Sequence, residues 1–206
     1  TLGADPVSAM AREGSTLREL DLAFAKLRAW LPALASYPRV RAITIATPYH
    51  GAGATEVEDL GLTIATGVET LRRLVDAGIP IDEACRHFSL SLSLGRDVYG
   101  SIAKLRAARM LWARVVGASG GAEASLSVPI FVESAARMAT RRDPWVNVLR
   151  GTLAAFAGAV GGADRITVAP FDQPLGISGK LARRLARNTQ LILRDEAHLA
   201  RVIDPA

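Results

Sequence analysis

His50 stands in the loop Ala46-Thr47-Pro48-Tyr49-His50-Gly51-Ala52-Gly53-Ala54, directly after a β-branched run. A histidine there has two readings. Beyond the carboxyl end of a parallel strand its imidazole can serve as a general acid, because its ordinary pKa of about 6.5 lets it hold or release a proton near neutrality. As a polar loop residue it can instead hold the turn. Gly51 and Gly53 would let backbone approach a ligand closely. In parallel α/β folds the reactive groups lie beyond the carboxyl ends of the strands. That rule also selects Thr47 and Tyr49, then Arg96 and Asp97 after a second strand, Glu133, Ser134 and Arg137 after a third, and Asp172 and Gln173 after a fourth. His50 is the catalytic candidate, and Tyr49, Arg96, Glu133, Ser134 and Asp172 are the substrate-facing ones.

Other chemistries find no support. Ser134 lacks the G-x-S-x-G setting of a nucleophile elbow. His87 and His198 fall on helical patterns away from the loop and read as structural. No His, Cys or carboxylate pair has metal-ligand spacing. The glycine-rich segments at 117–123 and 161–164 lack the Lys-Ser/Thr of a phosphate loop and read as turns. The single cysteine, Cys85, lies in an apolar-periodic stretch and reads as a small buried hydrophobe.

The 206 residues are 50% hydrophobic, enough for one sizeable core. A formal charge of +5 comes from interspersed basic and acidic residues with only 5% aromatics, which argues against a nucleic-acid surface. There is no signal pattern and no uncharged apolar run of ~18 residues. With one cysteine, the expectation is a cytoplasmic protein without membrane or nucleic-acid partners.

The elements that must position these groups follow from periodicity. Short β-branched runs alternate with long helical patterns, the mark of a parallel sheet built from βαβ units. The strands are expected at Ala42–Thr47, Phe88–Leu94, Val128–Glu133 and Arg165–Val168. The first is followed by a helix from Thr55 to Asp76, with apolar positions Val57, Leu60, Ile64, Val68, Leu71 and Val75. Further helices are expected from Gly95 to Val116, from an Asp143 cap with Pro144 at its first position, and from a Ser178 cap to Ala197. A helix at Ser15–Ala35, broken at Pro32, precedes them, and a short one spans Ile81–His87. The fold class is therefore α/β, a single domain forming part of a (β/α)8 TIM-type barrel, with four parallel βα units after a leading helix. Four strands are half of such a barrel, and the segments TLGADP and VIDPA read as cut from a longer chain.

Several segments then resemble one family. Ile102–Ala113 (IAKLRAARMLWA) is similar to a helix signature of the cobalamin-dependent methylmalonyl-CoA mutases. Asp143–Arg150 (DPWVNVLR) resembles their DPYNNVxR element, and Ala186–Gln190 (ARNTQ) with Val202–Pro205 resembles a later helix and its DP segment. The resemblance covers the whole chain. It implies a barrel that binds an acyl-CoA, a separate cobalamin-binding domain, and rearrangement of the acyl carbon skeleton through a radical from adenosylcobalamin.

The departures are as informative. Catalytic subunits carry YHMQEAGA where this chain has Tyr49-His50-Gly51-Ala52-Gly53-Ala54, two residues shorter between the histidine and AGA. Their His-x-Gln-Thr-Ser-Gly and Ser-Leu-His-Thr-Asn motifs are replaced by Glu133–Arg137 and Arg165–Ala169. No histidine here lies in the Asp-x-His-x-x-Gly motif that ligates cobalt. Lost site motifs beside retained helix motifs resemble the non-catalytic small subunit of heterodimeric mutases. The resemblance thus implies a scaffold supporting a large catalytic subunit, with acyl-CoA and adenosylcobalamin in the assembled enzyme and no cofactor or metal held by this chain. Two alternatives stand beside it: an active mutase barrel in which His50 contacts substrate, and a half-barrel that pairs with a copy of itself.

Overall fold

The computed structural model describes residues 1–14, 17–46 and 48–201. In chain order the helices and strands are α1 (Pro6–Glu13), α2 (Leu17–Leu34), α3 (Pro48–Gly51), α4 (Glu56–Asp76), α5 (Ile81–Arg86) and β1 (Leu90–Leu94). There follow α6 (Val98–Ala118), β2 (Ile130–Ser134), α7 (Val146–Val160), β3 (Arg165–Thr167) and α8 (Lys180–Asp195). The fold is α/β, with a parallel sheet whose strands alternate with helices and stand in the order β1-β2-β3. The chain divides into two compact units, Thr1–Ser91 with Ala108–Pro129, and Leu92–Ala107 with Ile130–Ala206.

In the first unit, α1 was not foreseen. Asp5 caps it by accepting the Ser8 N–H at 3.0 Å, with Pro6 at the first position. Its second carboxylate oxygen accepts the Ala46 N–H at 2.9 Å, tying the N-terminal segment to the start of the His50 loop. The expected first strand forms only isolated parallel bridges, Ile43 with Ala4 and Ile45 with Leu90. The Leu2 N–H donates to the Arg41 carbonyl at 2.8 Å and the Ala4 N–H to the Ala42 carbonyl at 2.9 Å, so residues 2–4 run beside it. Helix α2 runs on through Pro32 to Leu34 instead of breaking there, although the proline has no N–H to offer the Arg28 carbonyl.

Helix α4 begins where expected. Thr55 and Glu58 form a capping box: the Thr55 hydroxyl accepts the Glu58 N–H, and the Glu58 carboxylate accepts the Thr55 N–H at 2.8 Å. Its buried face is not the expected one. Leu60 and Leu71 are inside, but Val57, Val68 and Val75 are exposed, and the inner stripe is completed by Thr63, Thr66, Gly67, Thr70 and Leu74. The reason is Trp112 on α6, fully buried, whose ring lies where a Cβ on Gly67 would approach within 2.6 Å. A bulky indole selects small side chains opposite it, and the valines are displaced outward.

In the second unit, β2 and β3 pair in parallel register, Phe131 with Arg165, Val132 with Ile166 and Glu133 with Thr167. Helix α7 comes close to them through small residues: a Cβ on Gly158 would meet Val132 at 2.9 Å, and one on Gly151 would meet Val168 at 3.0 Å. Asp97 caps the start of α6, accepting the Gly100 N–H at 3.0 Å. The expected Asp143 cap does not form. Asn147 and Val148 donate to the carbonyls of Pro144 and Trp145, both at 3.0 Å, so those two residues make a tight lead-in turn and the helix starts at Val146. Nor does Ser178 cap α8: Gly179 holds that position, and its N–H donates to Asp172 at 2.9 Å.

Candidate functional site

In the first unit the loop after the first strand closes on itself. A single helical turn, α3, carries Tyr49 and His50, and Gly53 at φ +109° lets the chain reverse so that the Ala54 N–H reaches the Tyr49 carbonyl at 3.1 Å. The His50 side chain is thereby turned inward, and the residue is 1% exposed. Its Nε2–H donates to Glu56 Oε1 at 3.0 Å, since a carboxylate can only accept. The His50 backbone N–H donates to Asp59 Oδ1, also at 3.0 Å, and Asp59 is itself fully buried. The Tyr49 hydroxyl meets Thr66 Oγ1 at 3.1 Å. Every one of these partners lies in the first three turns of α4. Thr47 lies outside the described residues.

In the second unit, Arg96 is exposed in the turn before α6, and Glu133 is exposed at the end of β2. Ser93 on β1 joins two groups. Its hydroxyl donates to Glu133 Oε1 at 3.3 Å, and its carbonyl accepts from Lys104 Nζ at 3.2 Å. Lys104 is only 3% exposed. Sequence reading did not single it out, although it falls on the same helix face as Ser101, Leu105, Ala108 and Trp112, and a lysine among buried positions was a usable signal. Ser134 is buried, and its hydroxyl accepts the Ala169 N–H at 2.8 Å. The Gly179 N–H, then Ser178 and nearby Arg183, hold the Asp172 carboxyl below its ordinary range, so it is an anion fixed at the start of α8. Asn147 was also missed as a site residue. Its side chain accepts the Thr140 N–H at 2.9 Å and donates to the carbonyls of Thr140 and Phe171 at 2.8 and 2.9 Å, which clamps the segments after β2 and β3 together.

The structure therefore brings Tyr49 and His50 together in one unit, and Glu133 with Ser93 and Lys104 in the other. Ser134 and Asp172 serve neighbouring backbone. The cleft beside Ser134, lined also by Asn147 and Arg150, has a volume of only about 10 Å³, room for one water at most. A far larger cavity, about 390 Å³, lies between α7, α8 and the amino end of β3, by Asp164 and Arg165. That is the wrong end of the strands for chemistry in this class of fold, so size does not make it the site. Cys85 is buried and its thiol is pushed up to about 11, first by burial and then by Asp82, which makes it unreactive near neutrality. His87 and His198 are not helical as expected. His87 follows the last turn of α5, and His198 sits exposed in a loop at φ 50°. Among the described residues no group of three His, Cys, Asp or Glu side chains could hold a metal, and no helix is long and apolar enough to cross a membrane.

Comparison with known proteins adds what geometry cannot. The family model described as methylmalonyl-CoA mutase matches residues 1–206. The methylmalonyl-CoA mutase small subunit of Streptomyces virginiae is 49% identical over 209 aligned residues, covering 100% of this chain and 33% of that protein. The small subunit from Propionibacterium freudenreichii subsp. shermanii is 40% identical over the whole chain and 32% of its own length. A protein named methylmalonyl-CoA mutase from Escherichia coli is 35% identical over 82% of the chain. The chain spans about a third of the length of the small subunits it matches. An α/β fold, retained helix signatures and similarity from end to end agree, and the chain belongs to the methylmalonyl-CoA mutase family.

Proposed function

We propose that this chain is a barrel segment of a mutase small subunit. In this reading it supports a large catalytic subunit that interconverts methylmalonyl-CoA and succinyl-CoA with adenosylcobalamin, and it does not turn over substrate itself. The observation that carries the reading is His50. It persists with Tyr49 from the first of the family's site motifs, and its imidazole is buried against Glu56. A group so enclosed cannot touch a substrate without opening the loop.

The residues of this chain do not fit the corrinoid. His50 has Nε2 committed to Glu56, His87 is buried at the end of α5, His198 lies exposed in the loop after α8, and none of the three belongs to the motif that would present a histidine to cobalt. What its residues do is hold strand ends and helix starts in place: Asp5 on Ala46, Asp97 on Gly100, Asn147 on Thr140 and Phe171, Asp172 on Gly179. The same arrangement favours the scaffold over the alternative in which His50 contacts substrate.

The test is replacement of His50 in the assembled enzyme. His50→Gln can still donate to Glu56 and so guards against a folding artefact. Turnover within about twofold of the parent is expected for a scaffold, whereas removal of a general acid costs 10²–10⁴-fold. A loss of that size in both His50→Gln and His50→Ala, with the complex intact, would restore the catalytic alternative.

A further inference from the structure

Two contacts fasten His50 to the head of α4, and they grip different atoms. Asp59 Oδ1 accepts the backbone N–H of His50, and Glu56 Oε1 accepts the imidazole Nε2–H, both at 3.0 Å. Asp59 is fully buried, and taking a donor away from a buried carboxylate is costly. Glu56 is placed otherwise. It is the first residue of α4, where the unpaired N–H groups of the opening turn favour a carboxylate whether or not an imidazole meets it. The Asp59 contact therefore anchors the chain, and the Glu56 contact is a catch on the ring. The remaining bonds of the loop keep its backbone in shape. Ala52 and Ala54 donate to the Tyr49 carbonyl at 3.0 and 3.1 Å, and Gly53 donates to the His50 carbonyl at 3.2 Å. None of these engages the imidazole. With the residue only 1% exposed, the ring is held inside by a carboxylate that has little to lose by letting go.

We infer that Glu56 is a latch, an autoinhibitory contact within this chain: its carboxylate keeps the His50 imidazole shut in, and without it the ring is released while the loop backbone stays anchored on Asp59. The inference rests on the small-subunit reading above and adds the residue that enforces it. A chain that does not turn over substrate has no use for a free imidazole beyond the first strand, and a latch withholds the group without deleting it.

The test uses the subunit at full length, alone and in complex with its large subunit. Carbethoxylation of each histidine, read by peptide mass analysis, follows the rings, and amide exchange follows the backbone. Glu56→Ala should raise the modification rate of His50 by about tenfold to 100-fold, the factor that loss of a hydrogen bond to a charged group implies. His87, buried in the same protein, should keep its rate. Amides of residues 49–54 should quicken by less than about threefold, because Asp59 still holds the chain; a general loosening of the helix head would move them as well. Glu56→Gln keeps an acceptor oxygen for Nε2–H and should restore most of the protection. An unchanged His50 rate in Glu56→Ala, equal release in the two variants, or release with the amides quickened by about tenfold would each overturn the latch and leave the small-subunit reading standing. Turnover of the complex should stay within about twofold in Glu56→Ala. A loss of about tenfold or more, with the complex intact, would instead make the His50–Glu56 pair part of the chemistry, and the small-subunit reading would fail together with the latch.

Discussion

The loop and helix after the first strand, and the strand ends and helix of the second unit, solve the same problem in opposite ways. In the first, a residue capable of chemistry is kept and shut in by its own helix, His50 by Glu56 and Asp59 of α4. In the second, the polar residues at the strand ends serve backbone groups: Ser134 holds Ala169, and Asn147 holds Thr140 and Phe171. The helices differ too. Helix α4 carries charges on its outer side, where Arg73 pairs with Glu69 and with Asp21 of α2, both at 2.6 Å, while α7 carries none outward. Together they indicate that the loop of the first unit is held by the helix that follows it, whereas the strand ends of the second are held by clamps between neighbouring loops, beside a helix with no charge on its outer side.

The sharpest way to break that contrast is to remove a clamp. Asn147→Ala leaves the Thr140 N–H and the carbonyls of Thr140 and Phe171 without their partner, within a half-buried segment. The expected loss is roughly 2–3 kcal/mol. Because Phe171 would no longer be held against Trp145, tryptophan emission should change before global unfolding does. Chemical denaturation followed by fluorescence and by circular dichroism separates the two, and coincident, unshifted curves would show that the clamp contributes nothing.

A smaller effect is expected in the first unit. Thr55→Ala removes the capping box at the head of α4 and should cost about 1 kcal/mol. Since His50 takes its partners from that same end of the helix, exchange of the amides of residues 49–59 should quicken while that of α7 does not. Quickening in both units would mean that the His50 loop is not held by the head of α4 alone.

What could be read beforehand divides along the same line. Features written in adjacent residues were legible: the start of α4 at Thr55, the strand–helix alternation, the buried cysteine. The N-terminal turn was written there too, in Asp5-Pro6, but went unread because the sequence around it carries no long periodicity. What depends on how the backbone turns, or on partners further along the chain, was not visible. Asp143 has the right type to cap α7, yet Pro144 and Trp145 form a turn in front of it, and α8 takes its anchor from Asp172 rather than Ser178. The valine row of α4 looked like its core face, but Trp112, more than forty residues away, sets which face is inside. The inward closure of His50 likewise needs Gly53 and the first turns of α4 at once, and composition marks neither.

The smallest effect concerns His87, which joins the end of α5 to the first strand. Its carbonyl accepts the Ile43 N–H at 2.9 Å, while its ring is buried with Nδ1 lacking a partner. Burial, then the neighbouring Arg86, and finally Arg41 lower its pKa, against a small opposing pull from Glu83. The native state thus holds the imidazole neutral, while in the unfolded chain it takes up a proton below about pH 6.5. Wherever the unfolded state binds more protons, stability falls as pH falls. The penalty of this histidine therefore starts near pH 6.5 on acidification, grows until the lowered native pKa is passed, and is absent above neutrality. Thermal unfolding of the parent and of His87→Phe at pH 7.5 and 5.5 isolates it from the carboxylates, which titrate in both proteins. The parent should lose more in Tm between the two conditions than the variant does. Equal losses would mean that the ring is solvated in the native state, and that the seam between α5 and the first strand is looser than the closed loop beside it.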